Sequence, residues 1–91
     1  IYKIINYSNN KCYIGQTINV AYRFKRHIRE LNNNIHSNEY LQNAWNKEKE
    51  YFLFEIIELC SRKELDDKEK YYIKLYNSNN RLFGYNLSFE F

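Results

Sequence analysis

Ile1-Tyr2-Lys3-Ile4-Ile5-Asn6-Tyr7-Ser8-Asn9-Asn10-Lys11-Cys12-Tyr13-Ile14-Gly15 is the stretch on which the reading of this chain turns. Two short apolar runs rich in β-branched and aromatic residues flank Ser8-Asn9-Asn10. Asn tolerates the positive φ of tight hairpin turns, so the pattern predicts a β-hairpin. With a two- or four-residue loop, facing residue numbers sum to an odd value, and Tyr2 and Tyr13 share one face of the sheet. A three-residue loop without a bulge would separate them. The first register is expected, with two phenols side by side.

Working outward, the 91 residues suffice for one domain with a single modest core. The 10 Tyr and 6 Phe give that core bulk, although mean hydropathy is negative. There is no Pro, and the 2 Gly, Gly15 and Gly84, are expected where the backbone needs unusual angles or close approach. A net charge of +3 tolerates a polyanion but supplies little non-specific nucleic-acid affinity. Cys12 and Cys60 lie outside any metal-type spacing and suit a reducing compartment, a single bridge remaining open. No apolar run reaches membrane length and no signal peptide is visible, so no membrane association is expected. Opening on Ile rather than Met, the chain reads as part of a longer protein.

Asn19 is a good N-cap for a first helix running to about Leu31. Val20, Ala21, Phe24, Ile28 and Leu31 form its apolar stripe; Arg23, Arg26, His27 and Glu30 form a polar stripe beside it. Arg26 fits a solvated basic face or a contact with substrate, whereas Arg23 and His27 border the apolar stripe and can reach a rim. After the polar break Asn32-Asn33-Asn34, a second helix is expected from His36-Ser37-Asn38, capped by Ser37, with Tyr40, Leu41, Ala44 and Trp45 inward. His36 there reads either as a phosphate contact beside free N–H groups or as a capping histidine. Trp45 fits core spacing better than a base-stacking role. Asn46 to Glu50 reads as a charged connector, and Tyr51 to Leu59 as a third strand, apolar on both faces and hence central. Helices would then cover both faces of the sheet or wrap its edges.

Ser61-Arg62-Lys63-Glu64 fits a capping box that opens the last helix. Leu65, Tyr72, Ile73 and Tyr76 trace its inward face, and Glu69 falls inside that stripe, while Asp66, Lys68 and Lys70 can point away. A carboxylate among apolar neighbours costs several kcal/mol unless a cation or a metal pairs with it. Glu69 therefore reads either as half of a buried ion pair, with an arginine of the first helix, or as a metal ligand or catalytic acid. Residues 77–81 read as a loop, and Gly84-Tyr85-Asn86-Leu87 closes the domain.

Ile1-Tyr2 and Tyr13-Ile14-Gly15 resemble the paired motifs that name the GIY-YIG nucleases. The likeness continues through Asn19, Arg23, His27, His36-Ser37, Leu41-Gln42, Ala44-Trp45 and Phe54-Glu55-Ile56-Ile57. It runs on to Glu69-Lys70-Tyr71-Tyr72-Ile73 and Gly84-Tyr85-Asn86, covering essentially the whole chain in order. His27, His36 and the Gly-Tyr-Asn ending are most similar to phage-type homing endonucleases. The resemblance implies an α+β fold over residues 1–91, a small three-stranded antiparallel sheet flanked by three helices.

It also implies DNA phosphodiester hydrolysis with one divalent ion, Mg²⁺ or Mn²⁺, held by Glu69. A single protein carboxylate suits Mg²⁺, which keeps waters and takes other ligands from substrate. Asp66 and Asp67 stand too few residues before Glu69 to share its helix face well, and a two-metal site would want a carboxylate cluster. Tyr2 is the expected general base with Tyr13 hydrogen-bonding beside it, although the two could exchange. A phenol titrates near pH 10, so the site must lower that value, through metal charge or Arg23. Arg23 would grip the phosphate, and His27 would position a phosphate or assist proton transfer. Arg26 and His36 would contact DNA, and Asn86 would fix the geometry or bond the phosphate. The expected partner is DNA, read by a separate recognition domain outside this stretch, with the chain monomeric and cytoplasmic in a bacterial, phage or viral host. A non-cleaving nucleic-acid module, an excision-repair incision domain and a purely structural domain are the alternatives.

Overall fold

The computed structural model describes residues 1–87. In chain order it comprises β1 (Tyr2–Asn6), β2 (Lys11–Gly15), α1 (Val20–Asn32), α2 (Glu39–Glu48), β3 (Phe52–Ile56) and α3 (Leu65–Tyr76). Short 3₁₀ turns at Lys49–Tyr51 and Arg62–Glu64 precede β3 and α3. This is the expected α+β architecture of three antiparallel strands and three helices.

The hairpin closes with Asn6 opposite Lys11, a four-residue loop in which Asn10 takes the left-handed conformation at φ 63°. Tyr2 faces Gly15 and Ile4 faces Tyr13, so the two tyrosines do share a face. The strand order β2-β1-β3 differs from expectation: β1 is central and β3 an edge. The apolar run in β3 misleads because Leu53 and Ile56 are half exposed. In β1, Lys3 holds a covered position by reaching Glu55 at 3.6 Å and the Tyr76 ring. Such snorkelling hides a central strand from a hydrophobicity count.

Helices cover both faces. Tyr2, Ile4, Leu31, Leu41, Trp45, Phe52 and Tyr85 form one core under α1 and α2; Ile1, Cys12, Ile14, Leu65 and Ile73 form the other under α3. The outer edge of β2 is closed by the 83–86 segment, through a bridge between Cys12 and Gly84 and a bond from Tyr85 N–H to the Cys12 carbonyl. A side chain on Gly84 would strike backbone atoms of Ser78 and Cys12, so close approach and not an unusual φ explains this glycine. Both cysteines are free.

Four local expectations need correction. The inward face of α1 centres on His27, which is buried, while Ala21 and Ile28 are exposed. Asn38, not Ser37, caps α2 by accepting from Leu41 N–H at 3.0 Å, and Tyr40 lies 44% exposed. The 46–50 connector is helical, since α2 runs to Glu48 and passes straight into the 3₁₀ turn. The capping box at Ser61 and Glu64 forms as read, although its first turn is 3₁₀.

Candidate active site

Tyr2 sits on the central strand and its ring lies over Gly15 of the neighbouring strand, where any side chain would fall on the ring's far carbon and hydroxyl. The missing side chain lets the phenol cross β2 and reach α1. There its oxygen stands 2.7 Å from His27 Nε2 and 3.4 Å from Arg23 Nε. Arg23 and His27 are one helical turn apart, as the two-stripe reading of α1 predicts. Tyr13 packs its ring against His27 at 5.7 Å between centroids and lies within the field of Arg23. His36 stacks on His27 at 5.0 Å, with its Nε2 2.8 Å from His27 Nδ1.

Glu69 enters from α3, on the far side of the sheet, and accepts from Gln16 Nε2 at 2.6 Å. Gln16 directly follows β2 and also donates to Asp66 at 2.7 Å. Asp66 and Glu69 therefore do share a face, three residues apart, contrary to the sequence reading. The buried ion pair with a first-helix arginine does not form: Glu69 has no salt bridge among the described residues. The charge of Glu69 raises both Tyr2 and Tyr13, which couples α3 electrostatically to the residues that β1, β2 and α1 bring together.

Asn86 binds β2 from outside, accepting from Ile14 N–H at 2.7 Å and donating to the Ile14 carbonyl at 2.9 Å. Its oxygen also accepts from the Ser78 hydroxyl. Its polar atoms are thereby turned to the strand that carries Tyr13 and Gly15. Arg26 stands apart on the exposed flank of α1, paired with Glu30 at 3.2 Å. A groove of about 370 Å³ between the hairpin loop, α2 and Arg81 holds none of the predicted site residues.

The family model of the GIY-YIG catalytic domain matches residues 1–86. The chain belongs to the GIY-YIG family. It is 37% identical over 90 residues to "Intron-associated endonuclease 1" of Enterobacteria phage T4, a match spanning 97% of this chain and 36% of that protein. The chain thus spans about a third of the length of this curated relative. Its fold matches the catalytic domain of intron endonuclease I-TevI, in a point-mutant form, with a TM-score of 0.88 and 32% identity over 99% of this chain and 93% of that one. A second structure, the catalytic domain of the homing endonuclease I-TevI, matches with a TM-score of 0.87 at 32% identity, over 96% and 95%. This GIY-YIG domain is a nuclease catalytic domain related to homing endonucleases.

Electrostatics in the GIY-YIG site are dominated by burial. Desolvation and the Tyr13 phenol push Tyr2 well above the usual phenol range, with Arg23 pulling the other way. Burial also raises Tyr13, again against Arg23. The expected lowering is therefore not achieved by the protein's own groups. Burial raises Glu69, opposed by the bond from Gln16.

Burial, then Arg23, His36 and Arg26, hold the His27 imidazole down at about 3. An unfolded histidine titrates near 6.5, so between these values only the unfolded chain takes up that proton. The contribution is fully present above about pH 6.5 and drains away as pH falls toward 3, on the order of 5 kcal/mol in all. Urea midpoints taken from pH 7 to 4 are expected to fall less steeply in His27→Gln than in the parent.

Sequence reasoning did not single out Gln16, Asn38 or Ser78. No motif marks Gln16 beyond its place directly after Gly15. Asn38 carried a signal, as a capping residue competing with Ser37. Ser78 is wholly buried yet stands in a segment that reads as an ordinary polar loop.

Among the described residues, no group of three or more His, Cys, Asp or Glu is arranged to hold a metal ion. Glu69 with Asp66 nearby, bridged by an amide, still fits an ion that keeps most of its waters. The donor set suits one hard divalent cation and not a caged or soft metal. No helix among the described residues is long and apolar enough to cross a membrane.

Proposed function

We propose that this domain hydrolyses DNA phosphodiester bonds with one divalent cation, Mg²⁺ or Mn²⁺, as the catalytic part of a homing endonuclease. One observation carries the reading: His27 and Arg23 of α1 both reach the Tyr2 hydroxyl, Tyr13 packs on His27 beside it, and the charge of Glu69 acts on both phenols. Glu69 would hold the ion. When bound, the ion would offset charge on the scissile phosphate and supply the positive field that a raised phenol needs to ionise.

Tyr2 is assigned the general base, held in place by His27 and Arg23. Tyr13, whose ring packs on His27, is assigned a supporting hydrogen bond beside it. Arg23 presents its remaining guanidinium donors to the phosphate and opposes the charge that builds in the transition state. His27 is fully buried and acts through Tyr2. Both ring nitrogens of His36 are engaged within the protein, which favours support of His27 over contact with DNA. Arg26, on the open flank of α1, is assigned a backbone contact, and Asn86 keeps β2 in register. Sequence recognition is assigned to a separate part of the parent protein, and the site of action to the cell interior, with the domain monomeric.

Supercoiled plasmid incubated with the domain is expected to be nicked in Mg²⁺ or Mn²⁺ and spared in EDTA. A folded domain that nicks in neither metal, or nicks equally in EDTA, would overturn the proposal.

A further inference from the structure

Four groups in the site form a hydrogen-bond chain whose direction is set by its first member. A backbone N–H can only donate, and that of Asn38 meets His36 Nδ1 at 3.0 Å. His36 Nδ1 must therefore offer a lone pair, which makes the ring neutral with its proton on Nε2. That Nε2–H faces His27 Nδ1 at 2.8 Å, so Nδ1 of His27 accepts in turn. His27 then carries its own proton on Nε2, 2.7 Å from the Tyr2 oxygen. An imidazolium at either position would set one N–H against another, so both rings are neutral.

We propose that the Asn38 amide fixes the polarity of this chain, making His27 a permanent donor to Tyr2 that cannot take its proton. The low proton affinity of His27, caused first by burial, agrees with this arrangement. Arg23 Nε also donates toward the same oxygen at 3.4 Å. With both protein contacts donating, the Tyr2 hydrogen is left to point away from His27 and Arg23.

Resting on the nuclease reading, this makes His27 and His36 positioning residues. Tyr2 loses its proton to solvent on the substrate side and regains one there from the attacking water, and neither histidine changes its proton count. Two donated bonds favour the phenolate that such a step requires. Asn38 is locked in its own place, since it caps α2 and donates from Nδ2 to the Tyr85 carbonyl at 2.7 Å. His36 N–H is likewise held, by Gln42 Oε1 at 3.0 Å.

Long-range ¹⁵N–¹H correlation spectra of the domain at pH 7, without DNA or metal, are expected to show His27 and His36 both as Nε2–H tautomers. A proton on Nδ1 of His27, or a charged ring at either position, would overturn the proposal. Cleavage supplies the second arm. His36→Gln can accept from Asn38 and donate to His27, and is expected to keep most of kcat. His36→Leu offers no donor and is expected to lower kcat by roughly 10- to 100-fold with KM little changed. A loss confined to KM, an equal loss of kcat in both variants, or no loss in His36→Leu would each overturn it. Should the Leu variant fail to fold, the spectra of the unsubstituted domain decide. An inactive protein with the Nε2–H tautomers refutes the nuclease reading alone; an active one with Nδ1–H on His27 refutes this polarity alone.

Discussion

Glu69→Gln is expected to lose DNA cleavage by roughly 10³-fold or more while the domain folds as before and, in metal-free buffer, unfolds at a higher temperature than the parent. The loss follows from the proposed chemistry, because the amide removes the negative charge that would hold the cation and keeps the shape. The gain in stability has a separate cause. Glu69 is buried, and its carboxyl is raised by desolvation and by Asp66. A carboxyl raised in the folded state gives its full contribution at low pH and loses it as pH climbs through the folded value. Glutamine carries no such loss, so the variant's advantage is expected at pH 7 and to vanish near pH 4. Gln16 can still donate to the new amide oxygen. Thermal melts at the two pH values beside a nicking assay check both halves. Wild-type cleavage by this variant would remove Glu69 from the chemistry.

Gly15→Ala is expected to cost about 1–3 kcal/mol of stability and roughly 10²-fold in cleavage rate. The new methyl group would occupy the place of the Tyr2 ring end and hydroxyl. Tyr2 is only 1% exposed, so its ring has nowhere to retreat without disturbing the core around Ile4 and Leu31. A small tilt is enough to break the 2.7 Å bond to His27 and carry the oxygen away from Arg23. Denaturant midpoints give the first number, and single-turnover cleavage by folded protein gives the second. A variant with an unchanged rate would show that the Tyr2 hydroxyl has no part in the reaction.

What the sequence made legible, and what it hid, divides along physical lines. Features encoded by a few neighbouring residues were readable: the hairpin register from Asn-rich turn chemistry, the Asn19 cap, the Ser61–Glu64 box. The central place of β1 was not, because pairing partners far along the chain decide it and Lys3 disguises a covered strand. The inward face of α1 was misread for a related reason. Apolar residue types favour Ile28, but the structure buries His27, a polar ring whose partners, Tyr2 and His36, come from other segments. Glu69 was found because a carboxylate inside an apolar stripe is anomalous. Gln16 was not, since a glutamine after a strand is ordinary until the helix across from it is known.

The place of β1 between its two neighbours reaches beyond architecture. Tyr2 is paired on both sides, with Gly15 and with Ile56. Amides so enclosed exchange with solvent only when much of the domain opens. The oxygen assigned to chemistry is thus mounted on the central strand of the sheet, whereas Arg23 and Glu69 stand on helices packed outside it. Heat inactivation should therefore coincide with collapse of the sheet rather than precede it.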